Sequence, residues 1–228
     1  MTIATGVFLI VLPIAFNVIF GMLAVQFEYP QILREPTADV LAKFRAGGTR
    51  LLLTWWAFAM TGLMFIPVAA FLAAQLTGAN AMVVQVGIIV GVLAGLVQVL
   101  GLIRWPLMVP HLARESETAS AAKSEAIDVV FQSFNRYLGV AVGEHLGYLL
   151  TGTWTVLIGI AALQSDAFPA LLGVIGIVIG AVLAVCCLEF IGPFEREGWK
   201  FAGLMVPVTY IAWSLWVAAL GVVLLINA

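Results

Sequence analysis

Charge is what this sequence has least of. Only 10% of the 228 residues are Asp, Glu, Lys or Arg, against roughly 25% in an average soluble domain. With 63% hydrophobic residues and a mean hydropathy of +1.13, a soluble fold is excluded. The ten Lys and Arg residues leave a net charge of −2, too few and too dispersed for a polyanion track, so nucleic acid is not expected as a partner. Cysteine is nearly absent: Cys186 and Cys187 are adjacent, which rules out ordinary disulfide geometry between them and leaves the redox compartment unread. Known catalytic signatures are missing as well, with no HExxH, no GxSxG, no phosphate loop and no lysine inside an apolar run.

What the chain does have is long apolar runs. A hydrocarbon core about 30 Å thick needs roughly 20 residues of helix, and six runs meet that length, at about 3–27, 50–76, 80–104, 138–163, 167–191 and 201–226. They are continuous rather than alternating, which favours helices over a barrel. The start, Met1-Thr2-Ile3, lacks the positive stretch of a secretory signal, so the first run is expected to be a span. The expected fold is all-α, a single bundle of six transmembrane helices over 1–228.

Lysine and arginine sort completely by connection. The first carries Arg34, Lys43, Arg45 and Arg50, the third Arg104, Arg114, Lys123 and Arg136, and the fifth Arg196 and Lys200, while both termini and the other two connections carry none. Basic loops are retained in the cytoplasm, which predicts both termini outside, together with the turns Thr77–Asn80 and Gln164–Asp166. Within the first basic loop, Pro36 and Thr37 start a short helix with Val40, Leu41 and Phe44 on one side, and Gly47-Gly48 ends it. Within the third, Ser116 to Tyr137 reads as an amphipathic cytoplasmic helix before span four, with Ile127, Val130, Phe131, Phe134 and Tyr137 together.

The chain is also three out-to-in helix, basic loop and in-to-out helix units, whose first helices end on Glu28-Tyr29-Pro30, Arg104-Trp105-Pro106 and Glu189-Phe190-Ile191-Gly192-Pro193. Proline stops and interfacial aromatics explain these endings without an ancestral repeat. Glycines at every fourth position, Gly87/Gly91/Gly95, Gly139/Gly143/Gly147 and Gly176/Gly180, let backbones approach closely in lipid. They predict that spans three, four and five form the tight centre, and they offer faces for a membrane-protein partner or a second copy, besides contact with membrane lipids.

Ionisable groups inside a bilayer are expensive, so each is a candidate site. Glu144 and His145 lie about two turns inside span four from Arg136 by helical rise, and Tyr137, Glu144, Tyr148, Thr151 and Thr155 recur at α-helical spacing as a polar stripe. Glu28, Arg104 and Glu189 end their spans on the same side. A polar, cytoplasm-facing cavity is expected, with Glu144 and His145 at its floor, Arg104 or Arg136 as counter-charge, and Tyr148, Glu189 and Glu28 as further candidates. The competing expectation is an ion pair of Glu144 with an Arg that only fixes helix register.

No metal site is expected. His111 and His145 are ligand types for a bis-histidine haem, and Cys186, Cys187, Glu189 and His145 are zinc-ligand types without a usual zinc spacing; small buried packing is the simpler role for the cysteines. Three function classes follow: binding or moving a small amphipathic or ionic ligand in that cavity, serving as an accessory or assembly subunit, or acting as an intramembrane enzyme with Glu144 and His145 as acid and base on a lipid-like substrate.

Three stretches carry a resemblance: Ile32-Leu33-Arg34-Glu35-Pro36-Thr37, Gly101-Leu102-Ile103-Arg104-Trp105-Pro106 with Val109-Pro110, and Phe134-Asn135-Arg136-Tyr137 through Gly143-Glu144-His145-Leu146-Gly147. Over nearly its whole length the chain resembles an uncharacterised bacterial family of polytopic membrane proteins described only as containing a domain of unknown function. The resemblance implies a helical protein of the bacterial inner membrane and supplies no activity, cofactor or catalytic residue.

Overall fold

The computed structural model describes residues 1–228, and every expected span is a helix. Helix α1 covers Thr2–Phe27 and α2 Thr37–Ala73. Then come α3 at Ala81–Leu102, the short α4 and α5 at Arg104–Leu107 and Val109–Glu115, and α6 at Ala121–Phe134. A π-helical stretch, Asn135–Leu146, runs into α7 at Gly147–Leu163, followed by α8 at Ala170–Cys186 and α9 at Lys200–Ile226. Six helical units are long and apolar enough to cross a membrane, and no strand is present.

Helix α2 is two helices. Gly48 breaks it with φ 54° and ψ −152°, a conformation from which a Cβ is nearly excluded. The residues before the break form the short loop helix expected from Val40, Leu41 and Phe44, and those after it form span two. Amphipathic α6 begins later than its pattern suggested, capped by Ser120, whose hydroxyl accepts from the Lys123 amide. Only Ile127 and Phe131 of its apolar side are buried; Val130, Phe134 and Tyr137 stay exposed.

The six spans form a closed ring in chain order, each packed on the next and α9 returning to α1. That arrangement replaces the expected centre of spans three, four and five. Their glycines do make close seams: a Cβ on Gly101 would lie 2.6 Å from the Gly143 Cα, and one on Gly152 would lie 2.5 Å from the Gly180 carbonyl oxygen. Other glycines of the same stripes face different neighbours, Gly176 meeting Trp216 of α9 and Gly139 meeting Arg104. Spacing defines a face of a helix and not which helix lies against it, so the stripes serve several seams within the chain.

Two cores fill the ring. One, at the end bearing the short turns, joins Leu9, Phe65, Trp154, Ile158, Trp213 and Trp216 from the spanning helices. The short turns there are tied together, the Asn80 amide donating to Gln164 Oε1 at 2.9 Å. The second core lies at the basic-loop end and joins Phe27, Trp55 and Trp105 to Val40, Leu41 and Phe44 of the first loop and to Leu112, Ile127 and Phe131 of the third. The loop helices are thus a cap across that end. Arg45 holds it by donating to the Ala113 carbonyl at 2.8 Å, and Thr37 by a hydrogen bond to Asp128.

Candidate functional site

The π-helical stretch carries Glu144 and His145. Glycines lower the α-helical preference there, each by about 1 kcal/mol relative to alanine, and two of them face intruding groups. Gly143 abuts Gly101 backbone to backbone, and the Arg104 guanidinium lies over Gly139, where a Cβ would stand 2.6 Å from Nη2. A side chain inserted against a helix is a known cause of local widening, and π-helical turns recur at functional sites. The wider turn also corrects the polar stripe. Seven residues make nearly two α-helical turns but fall short of two wider ones, so Tyr137 leaves the Glu144 side and is 67% exposed. From Gly147 onward α spacing resumes, and Tyr148, Thr151 and Thr155 keep to one face, both threonines fully buried.

Around Glu144 gather side chains from five spans or their ends. Tyr29, just past α1, is half-buried. Burial pushes its phenol up to about 12, the Glu144 carboxylate adding to the shift and the Arg104 guanidinium opposing it, which places all three within electrostatic reach of one another. Glu189, in the turn after α8, is also close enough for its charge to act on Glu144. Tyr148 meets Tyr210 of α9, their ring centroids 5.9 Å apart, and Tyr210 in turn stacks on Phe16 of α1 at 5.7 Å. Phe16 and Tyr29 are joined through Phe58 at 5.3 and 6.5 Å. An aromatic wall therefore runs beside the carboxylates.

Arg104 is buried, 8% exposed. Its guanidinium donates to the Gly101 carbonyl and, at 3.0 Å, to Asn135 Oδ1. These bonds fix it at the seam of spans three and four, near Glu144 without forming an ion pair with it. The three ion pairs of the chain, Lys43–Glu28, Lys123–Glu115 and Arg136–Glu195, all lie near the surface and include neither Glu144 nor Glu189. Arg136, half-exposed, is thereby engaged by Glu195 at 3.1 Å, and Glu28 by Lys43 of the cap at 2.5 Å. The structure brings Glu144, Tyr148, Arg104 and Glu189 together and sets Arg136 and Glu28 at the rim.

His145 points to a different neighbour. Its Nδ1 lies 2.7 Å from the Cys187 carbonyl oxygen; because a carbonyl only accepts, Nδ1 carries the hydrogen and Nε2 is left as an acceptor. Cys186 and Cys187 are buried free thiols. No group of three or more His, Cys, Asp or Glu stands close enough to hold a metal ion, and His111 is exposed on α5.

Sequence reasoning passed over Tyr29, Tyr210 and Gln98. Gln98 donates from Nε2 to Thr151 Oγ1 at 3.0 Å, Thr155 donates to the Thr151 carbonyl at 2.7 Å, and Trp213 Nε1 donates to Thr155 Oγ1 at 3.0 Å. A polar ladder thus climbs from the Glu144 cluster into the middle of the ring. A lone amide inside an apolar run was the available signal, and attention to ionisable groups alone misses it. A surface hollow of about 700 Å³ is formed by Gly192–Lys200 of a single loop and does not include the cluster.

The model of a domain of unknown function, DUF4386, matches residues 4–227. The chain belongs to the DUF4386 family. Neither a curated protein nor a solved structure matches it. For this DUF4386 protein, the multi-pass helical membrane fold rests on its six long apolar helices, and the chemistry has to be read from the cluster itself.

Proposed function

We propose that this protein binds a small amphipathic or ionic ligand at the basic-loop end of the ring, reached from the cytoplasm of a bacterial cell through its inner membrane face. The observation that carries the reading is the convergence of Tyr29, Glu144, Tyr148, Glu189 and Tyr210 from four spans or their ends, each half-buried rather than sealed. The carboxylates accept hydrogen bonds from a polar head, the tyrosine hydroxyls both donate and accept, and Phe16, Phe20 and Phe58 offer an apolar surface to the remainder. Binding is favoured over transport because the opposite half of the ring is packed with Phe65, Trp154, Trp213 and Trp216 and contains no broken helix, which many secondary transporters use at mid-membrane.

Native mass spectrometry of protein released from its own membrane tests this directly. Wild type is expected to retain a discrete small added mass, and Glu144→Gln, nearly the same shape, to fold with an unchanged melting temperature and lose that mass. A bare wild type together with a poorly folded Glu144→Gln would show that the carboxylate only maintains helix packing.

The sorted basic loops support an orientation with both termini outside. A cysteine introduced at Asp166, in a chain lacking Cys186 and Cys187, is expected to react with a membrane-impermeant maleimide in intact spheroplasts. Labelling only after membrane disruption would reverse the orientation and the side of ligand access.

A further inference from the structure

Inside the ring, Leu12, Phe16, Thr61, Phe65, Gln98, Tyr210 and Trp213 surround a void of about 10 Å³. That is close to the least volume in which a single water molecule is accommodated, and such a water needs two to four polar partners. Three of the lining residues are polar, and their other hydrogen bonds leave complementary capacity. The Thr61 hydroxyl donates to the Phe58 carbonyl at 2.7 Å, so its oxygen remains an acceptor. Gln98 uses Nε2 on Thr151, so Oε1 remains an acceptor. The Tyr210 hydroxyl, beside Thr151, both donates and accepts. The four remaining walls are apolar, which confines a water to this one position.

We propose that this void is a binding site for one structural water, which donates to Thr61 Oγ1 and Gln98 Oε1 and shares its third bond with the Tyr210 hydroxyl. The water adds a second link between two polar groups of the interior that already approach each other at Thr151. On one side, Gln98 leads through Thr151 and Thr155 to the Trp213 indole. On the other, Tyr210 lies against Tyr148, one helical turn from Glu144. With the water in place, Thr61 joins the polar interior that runs from the Glu144 cluster to mid-bundle. It ends there, beneath Phe65 and Trp213, whose ring centroids are 5.7 Å apart. The site stands on the void and its lining and does not depend on a ligand binding near Glu144.

Radiolytic footprinting of the detergent-purified full chain tests it, because hydroxyl radicals formed from a bound water oxidise the side chains touching it even when bulk solvent is excluded. Trp213, 5% exposed, is expected to be oxidised severalfold faster than Trp216, which is comparably buried at 3% but does not line the void. Thr61→Val removes one acceptor at nearly constant shape and is expected to lower Trp213 oxidation to the Trp216 level, while Thr61→Ser, which keeps the hydroxyl, retains the wild-type rate. Equal rates at Trp213 and Trp216 in wild type would overturn the site. So would a Trp213 rate unchanged in a folded Thr61→Val, since the oxidant would then come from solvent entering past Tyr148. If Thr61→Val fails to fold, Gln98→Met supplies the same comparison with the same two outcomes.

Discussion

Each half of the ring is centred on a fully buried tryptophan whose indole N–H has no partner, Trp154 in one and Trp55 in the other, yet the two halves are built differently. Around Trp154 stand chiefly spanning helices, with Phe65 at 4.7 Å and Trp213 and Trp216 each at 6.3 Å between ring centroids, and the short turns add only Leu76 and Phe168 to the buried core. Apart from the Trp154 indole, polar atoms there find partners within the chain, Trp216 Nε1 donating to the Leu172 carbonyl at 2.8 Å. Trp55 instead stacks on Trp105 at 4.5 Å with planes 10° apart, and half of its surrounding core comes from connections between spans. Inside the ring, charge is found only at that second end; the first has the exposed Asp166 in its turn. The contrast teaches that apolar packing alone closes one end, whereas at the other the loops take over the covering so that Arg104, Glu144 and Glu189 can stand inside the ring. Ionised groups are tolerated where a cap and water are near and not where lipid and tryptophan surround them.

The largest effect expected from breaking this contrast is at Trp154. Truncating a buried tryptophan to alanine removes about 3–5 kcal/mol in soluble cores; in lipid the unfolded reference is itself apolar, so mainly the packing share is lost, and about 3 kcal/mol is expected for Trp154→Ala. Thermal unfolding in detergent should show one cooperative transition moved down by several degrees. Trp154→Phe should be far milder, because it also removes an N–H whose burial without a partner costs about 1–3 kcal/mol. Trp55→Ala should differ in kind: the cap loosens, and limited proteolysis should cut between 109 and 134 faster while the main transition moves less. Equal global losses from Trp55→Ala and Trp154→Ala, with no gain in cleavage, would mean that the two cores unfold as one.

The packed half was the more legible of the two in the sequence. Length and hydropathy fix a span whatever its neighbours, so α1, α3 and α9 lie where the apolar runs put them, and Gly47-Gly48 marked the break in α2 because few other residues adopt that backbone. Arg104, Glu189 and Glu144 were legible because charge at or inside a span is rare enough to be read singly, and Tyr148 because it follows Glu144 at helical spacing. Arg136 and Glu28 were not separable from them: both satisfy the same rule, and only the fold shows Glu195 and Lys43 waiting outside. The ring order of the spans and the π-helical turn were invisible for a related reason. Each depends on what lies across a seam, Gly101 against Gly143 and Arg104 over Gly139, and a periodicity along one helix contains no information about the partner that answers it.

The smallest expected effect sharpens where the polar end stops. Glu28 ends α1 in the left-handed region, with φ 54° and ψ 31°, which costs an L-residue about 1–2 kcal/mol, and its carboxylate, 68% exposed, pairs with Lys43. An exposed pair contributes about 0–1 kcal/mol, so relief of the backbone should win. Glu28→Gly is therefore expected to leave the melting temperature unchanged or raise it by a degree or two, and Lys43→Ala to lower it by no more than that. Should Glu28→Gly instead destabilise strongly while Lys43→Ala does not, the Glu28 carboxylate acts on something other than the cap, and the boundary of the polar cluster has to be moved outward to include it.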